Sequence, residues 1–354
     1  MKFVRLQLCA GALAVFLTAG VHAQTAQQPA NNAGTAKTEN NFSASHIALG
    51  KELTISSGLA MQYEGMLQSM AQTMAAEGNK NPQIIPHLNE ILTMLKPELD
   101  LLRQQMDTKT GTIFAGKISE NDLKNIVAFF KSETGILYVK KQSAVLKDLA
   151  PIIQNWTEST EEYLDLRMRA ELQKRDVLIQ IPRAFLSKDN EATDNNKTEA
   201  TVNATPVIQA SEEQIALAKK VAIDSGLTRS YEGLMTQLVF GLREYLLKDE
   251  GFEAVSNSAE VMADVIMTLQ PEIDKLRERV VDSTAKVLAQ NIEEDKMKEI
   301  ETFFNSPSGK IYVEQLPKIY DELIPEMDAW LKKCIEYINT RTRGELAKRG
   351  HQFQ

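Results

Sequence analysis

The chain has 354 residues, 43% of them hydrophobic and 25% charged, which is room for two globular domains and excludes a fibrous or wholly low-complexity protein. A formal net charge of −8 argues against nucleic acid or an anionic membrane surface as a partner. Two cysteines, only one of them outside the N-terminal apolar run, leave no disulfide framework, so stability must come from packing.

Lys2 and Arg5 precede an apolar run from Leu6 to Gly20, and Val21-His22-Ala23 places small residues before Gln24. This pattern predicts a signal peptide over 1–23, cut between Ala23 and Gln24, and a periplasmic protein. The run falls short of the roughly 20 residues that span a bilayer, and no later stretch approaches that length. No membrane anchor is therefore expected after cleavage. Leu6-Gln7-Leu8 before Cys9 lacks the small residues of a lipoprotein cleavage site. Cleavage leaves 38 basic against 48 acidic residues, a net charge of −10, and Cys334 as the one cysteine. Cys334 follows Trp330 by one helical turn and reads as a small buried residue.

Residues 24–42 are rich in Gln, Asn, Ala and Thr and predict a disordered tether. A second Asn- and Thr-rich stretch, Ser187 to Thr205 between Pro182 and Pro206, marks a linker over 181–210. It separates a first helical module, 43–180, from a second, 211–350. Asn41, Asn155, Asn196 and Asn203 open Asn-x-Ser/Thr triplets, which an Asn-rich chain produces by chance.

The two modules are copies. Phe129-Phe130-Lys131-Ser132-Glu133-Thr134-Gly135 returns as Phe303-Phe304-Asn305-Ser306-Pro307-Ser308-Gly309. The same register of 174 positions pairs Trp156 with Trp330, Tyr163 with Tyr337, and Arg167 and Arg169 with Arg341 and Arg343. Upstream, Ser57-Gly58-Leu59 and Tyr63-Glu64-Gly65 return as Ser225-Gly226-Leu227 and Tyr231-Glu232-Gly233, at a register of 168. Six extra residues must therefore lie between Leu234 and Leu269, in a longer inter-helix loop near Gly251 and Ser256-Asn257-Ser258.

Each copy begins with a helix, predicted over Ser45 to Glu77 in the first, where Leu59, Tyr63, Met66, Met70 and Met74 recur at three- and four-residue steps. Pro97 and Pro271, each followed by Glu and an acidic partner, predict a helix start or a kink and restart. Ser119 and Asp122 are spaced as a capping box ahead of Leu123, Ile126, Val127 and Phe130. Ser132 and Ser306 then cap a long helix, which runs to about Val177 and Lys348 and is bent at Pro151 and Pro325. No stretch sustains period-two alternation. The fold class is all-α: two tandem helical bundles, each with several shorter helices and one long, proline-kinked C-terminal helix.

The secretory signal, the Phe-Phe-x-Ser-Pro-x-Gly motif, the kinking proline beyond it and the basic helix end together resemble the bacterial periplasmic family known as domain of unknown function 2059. The resemblance covers Ile113 to Arg175 and Val287 to Arg349. The first copy has Glu133 where the second has Pro307. The resemblance implies an all-helical periplasmic protein and carries over no catalytic residues.

The residues themselves point to no cofactor, metal or catalytic set. His46, His87 and His351 have no partner at helical spacing, and there is no Cys-x-x-Cys, His-Glu-x-x-His or Gly-x-Ser-x-Gly. Met61, Met66, Met70 and Met74 read as core, because Leu234, Leu238 and Leu242 replace the last three in the second copy. Glu98 with Asp100, and Glu272 with Asp274, lie two apart and face different ways; Asp100 with Arg103 and Asp274 with Arg277 read as surface pairs. What remains is a polar set shared by both copies: Tyr63, Glu64, Arg103, Arg167 and Arg169, with Tyr231, Glu232, Arg277, Arg341 and Arg343. It reads either as a buried Tyr–Glu–Arg network holding helices in register, or as an anion-binding groove with sites at Arg103 and Arg167 and at Arg277 and Arg341. The sequence assigns no function. Its leading expectation is a non-enzymatic interaction protein of the cell envelope that binds an envelope protein or an extended ligand, the alternative a small-molecule or anion binder, or a hydrolase.

Overall fold

The computed structural model describes residues 42–78, 84–177, 179, 210–249, 252, 255 and 257–351. The signal segment, almost all of the tether and most of the linker lie outside these residues. Ten α-helices and no strand are found among them. The first copy supplies α1 (Ala44–Ser56), α2 (Leu59–Gly78), α3 (Ile85–Lys117), α4 (Glu120–Lys131) and α5 (Glu133–Gln173). The second supplies α6 (Glu212–Asp224), α7 (Arg229–Leu246), α8 (Ser258–Asn291), α9 (Glu294–Asn305) and α10 (Pro307–Lys348) in the same order. Among the described residues, no helix is long and apolar enough to cross a membrane.

The single first helix expected from Ser45 to Glu77 is two helices. Gly58 adopts φ +83° and its counterpart Gly226 φ +77°, a left-handed conformation that ends α1 and α6. The repeated Ser-Gly pair was the signal. On α2 the core positions are Leu59, Ala60, Tyr63 and Leu67, while Met66 and Met70 are half-buried and Met61 is exposed. Among the described side chains of α2 the i, i+4 step from Tyr63 to Leu67, rather than Met61, Met66 or Met70, carries the buried stripe, and the Met74 side chain lies outside those described.

Neither Pro97 nor Pro271 starts a helix. Both lie inside continuous ones, α3 and α8, where Leu95 and Leu99, and Leu269 and Ile273, are buried on either side. Packing of that stripe offsets the one backbone bond each proline removes. The extra residues of the second copy fall in the connection between α7 and α8, 247–257, against 79–84 in the first.

Caps form as expected. Ser119 Oγ accepts from the Asp122 amide at 3.2 Å, Ser132 Oγ from Gly135 at 3.0 Å, and Ser306 Oγ from Gly309 at 3.1 Å. The glycine of this repeated signature has its own cause. A Cβ on Gly135 would lie 2.0 Å from the Phe129 carbonyl oxygen, and one on Gly309 2.0 Å from that of Phe303. Only a hydrogen fits where the long helix starts against the end of the preceding one.

The compact units do not follow the repeats. One gathers α1 to α4, the start of α5 and all of α10; the other, residues 141–301, gathers the rest of α5 with α6 to α8 and most of α9. In the first unit α10 packs on α3 and α4. Each repeat's short helices are thus completed by the long helix of the other repeat. One residue, Ser132, separates α4 from α5, and the seated Gly135 fixes the corner between them. A helix of 41 residues, about 60 Å at 1.5 Å per residue, then outruns the shorter helices of its own copy.

Gly135→Ala should lower stability by about 1–3 kcal/mol through the carbonyl clash, read as a fall in melting temperature. Gly344→Ala, on an open stretch of α10 with nothing near the added Cβ, should raise stability by up to about 1 kcal/mol.

Candidate functional site

Two tryptophans mark the seams where a long helix meets the other copy. In the first unit Trp330 of α10 donates its indole N–H to the Leu102 carbonyl of α3 at 2.9 Å. In the other unit Trp156 of α5 donates to the Leu276 carbonyl of α8 at 2.8 Å. Leu102 and Leu276 are themselves repeat equivalents. Each acceptor is a mid-helix carbonyl, whose second lone pair is free to take an indole. The Trp330 ring also lies 5.8 Å from the ring of Tyr63.

Below each tryptophan the seam is charged. Arg167 makes a two-pronged contact to Glu272, Nε to Oε2 at 2.9 Å and Nη2 to Oε1 at 2.6 Å, and the Tyr163 hydroxyl donates to Oε2 at 2.6 Å. The bound Arg167 holds the Glu272 carboxyl below the usual carboxylate range, helped by Tyr163 and opposed by partial burial. The equivalent pair in the first unit is looser, Arg341 Nη2 to Glu98 Oε1 at 3.5 Å. One turn or two further on, Arg175 reaches Asp264 at 2.7 Å and Arg349 reaches Glu90 at 3.5 Å. Glu171 and Glu345 brace these arginines from within their own helices, and Lys174 and Lys348 foremost hold both carboxyls below their ordinary value.

Within each compact unit the shared tyrosines and arginines take partners outside their own set. Tyr63 and Tyr231 are buried, but their hydroxyls meet Thr110 and Thr284, each at 2.8 Å, and not a glutamate or an arginine. Burial pushes both phenols up. Glu64 and Glu232 are exposed. Arg103 pairs with Asp107 at 3.0 Å on its own helix, and Arg277 with Asp274 at 2.6 Å, while Asp100 pairs with Lys96 at 3.6 Å instead of Arg103. Arg103 and Arg167 lie in different compact units, as do Arg277 and Arg341, because the long helices are exchanged. A Tyr–Glu–Arg network does exist, but it consists of Tyr163, Glu272 and Arg167. Glu98 and Glu272 stood in a repeated Pro-Glu motif; what sequence could not show was that each faces an arginine of the other copy.

Three further groups were not legible. Asp107 is buried, with Oδ1 lacking a hydrogen-bond partner, and burial raises its carboxyl while Arg103 and Lys51 pull it down. Val281 occupies its place in the second copy. His87 and His351, far apart in sequence, bring their rings within 4.9 Å in the first unit. His46 Nε2 donates to the Ile118 carbonyl at 2.9 Å, and its counterpart Gln214 donates to that of Ile292 at 3.2 Å, so both fasten a hairpin end. Among the described residues no three His, Cys, Asp or Glu side chains converge as metal ligands. Cys334 is buried, and its thiol is pushed up to about 11, away from reactivity.

Residues 104–162 and 278–336 match the family described as uncharacterized protein conserved in bacteria (DUF2059). Two tandem segments of the chain thus match the DUF2059 model. Each match runs from the second half of α3 or α8 through the Phe-Phe corner to just past the seam tryptophan, so the family segment holds the parts that build the exchange. No similarity to a curated protein or to a solved structure is detected.

Asp107→Val, the residue of the second DUF2059 copy, should raise the melting temperature at pH 7, since a buried carboxyl whose charged form burial disfavours, with one unpaired oxygen, is replaced by a packed side chain. Because the folded-state pKa of Asp107 lies above its unfolded value near 3.8, the wild type recovers stability as pH falls through that window. The advantage of the variant should therefore shrink in melts from pH 7 towards pH 4. A constant advantage would mean that Asp107 stays equally ionised in both states.

Proposed function

We propose that this protein is an exported, periplasmic interaction protein without catalytic activity, whose two DUF2059 copies form the scaffold for a partner of the cell envelope. The observation that carries this reading is the commitment of the shared arginines. Arg103, Arg167, Arg277 and Arg341 each face a carboxylate of this chain, Asp107, Glu272, Asp274 and Glu98. An anion site built on them would have to displace an existing pair, at a cost of desolvation and lost charge-assisted bonds.

Both copies also keep one large apolar side chain exposed at the same place. Ile55 on α1 is 54% exposed and its equivalent Ile223 on α6 is 50% exposed, each one turn after a lysine, Lys51 or Lys219. In the first copy Ile55 lines a shallow groove with Ala48, Lys51, Glu52, Ser56 and Lys131. A large apolar side chain exposed at the same place in both copies is the kind of feature a partner contact uses. Two such patches on one chain raise effective concentration for a dimeric or repetitive target.

A photo-crosslinking residue placed at 55 or at 223 in the exported protein should give a discrete protein adduct in living cells, without a change in melting temperature. No adduct at either position, with native mass spectrometry of residues 24–354 showing a bound small molecule, would overturn this reading in favour of a ligand binder.

A further inference from the structure

We infer that the two DUF2059 copies are interlocked by reciprocal helix exchange, each leaving open a seam that only the long helix of another copy closes, so that the covalent connection between them is not what holds them together. Among the described residues, the first unit is assembled from those up to Lys140 and from Thr302 onward, and the other from residues 141–301. A cut between the repeats would therefore leave both units containing segments of both fragments.

The seams are built, not incidental. Trp330 and Trp156 are each more than nine-tenths buried and bond backbone carbonyls of the other copy. Around them Ile319, Leu323, Met327, Cys334 and Ile338 of α10 are buried, as are Leu149, Ile153, Leu164, Met168 and Leu172 of α5. The Phe-Phe motifs add a third contact, since Phe129 stacks on its own repeat equivalent, Phe303, with centroids 3.8 Å apart and planes 2° from parallel. Phe130 meets Tyr312 edge-on at 5.4 Å, and Tyr138 meets Phe304 at 5.7 Å. Ser308, which directly follows Pro307 in the signature, donates to Asp122 Oδ1 at 2.9 Å and accepts from Asn125 Nδ2 at 3.1 Å. A motif that packs against its own copy is the mark of a self-complementary interface. The partner that fits each seam is thus a second DUF2059 copy, here supplied by the same chain.

The experiment uses the full exported chain with a specific protease site inserted between Asn195 and Lys197, and with Cys334→Thr, the side chain of the first copy. Glu98→Cys with Arg341→Cys places thiols across the exchanged seam at half-exposed positions, where neither change should unfold the protein. Glu98→Cys with Arg167→Cys places them where a repeat closed on itself would bring them together. After cleavage and treatment with a short bis-maleimide, the 98/341 pair should join the two fragments covalently, and the 98/167 pair should give no internal crosslink. The cut, untreated protein should elute at the volume of the intact one. Separation of the fragments on cleavage, or a crosslink for 98/167 and none for 98/341, would overturn the inference. So would a 98/341 crosslink found only in a species of twice the mass.

Discussion

The indole of Trp330 on the carbonyl of Leu102, with its counterpart Trp156 on Leu276, is the contact on which the rest of the structure depends. A buried indole N–H without an acceptor would cost more than the bond contributes, so each tryptophan sits where a carbonyl receives it, here one of the other copy. That sets the axial position of the long helix. The charged contacts further along then have one register available, because a shift of a single residue would turn Arg167 away from Glu272 and expose Leu164 and Met168. Hydrophobic burial supplies the stability of these seams, and the polar contacts select among the ways of burying the same surface.

The two copies have diverged in how tightly they are held. Where α1 crosses α3, Gly50 and Gly111 bring backbones so close that a Cβ on Gly50 would stand 2.2 Å from the Gly111 carbonyl oxygen. The equivalent crossing of α6 and α8 has Ala218 and Ala285, both fully buried. The Tyr–Thr bond beneath is unchanged between copies, so the divergence is in spacing and not in register. At the seam the order reverses. The unit that contains Arg167 and Glu272 has a two-pronged pair capped by Tyr163, while Arg341 and Glu98 make a single longer contact. The first unit also buries Asp107 with an unpartnered oxygen, where its sister has Val281. Its core is therefore the costlier of the two at neutral pH.

Much of the local structure was readable. Ser119, Ser132 and Ser306 cap the helices they were expected to cap, and the register slip falls in the α7–α8 connection. These signals are local: a serine hydroxyl three residues from an amide needs no knowledge of the fold. The errors were also local in form. Of the two readings of Pro97 and Pro271, a helix start or a kink and restart, the start fails because the buried stripe carries α3 and α8 through both prolines. The exchange was out of reach for a different reason. The repeat register shows that Glu98 equals Glu272 and that Arg167 equals Arg341, and by that equivalence a Glu98–Arg167 pair and a Glu98–Arg341 pair are the same contact. Symmetry in the sequence conceals which copy supplies the partner, because a contact within a copy and one between copies join the same residue types at the same register.

The same degeneracy bears on what such a duplicated chain gains. If each seam accepts a long helix from any DUF2059 copy, separate copies would pair by concentration, whereas two copies on one chain meet at the effective concentration their connection sets. Tandem duplication thereby makes the exchanged pair the default state and frees the two halves to differ. They do differ at Asp107 and Val281 and at the strength of the Arg–Glu contacts, yet they agree at Ile55 and Ile223, which neither the core nor the seams use. Residues that serve packing have drifted within the limits that packing sets. An exposed pair that neither core nor seam requires is the physical ground on which the proposed partner contact is put on α1 and α6.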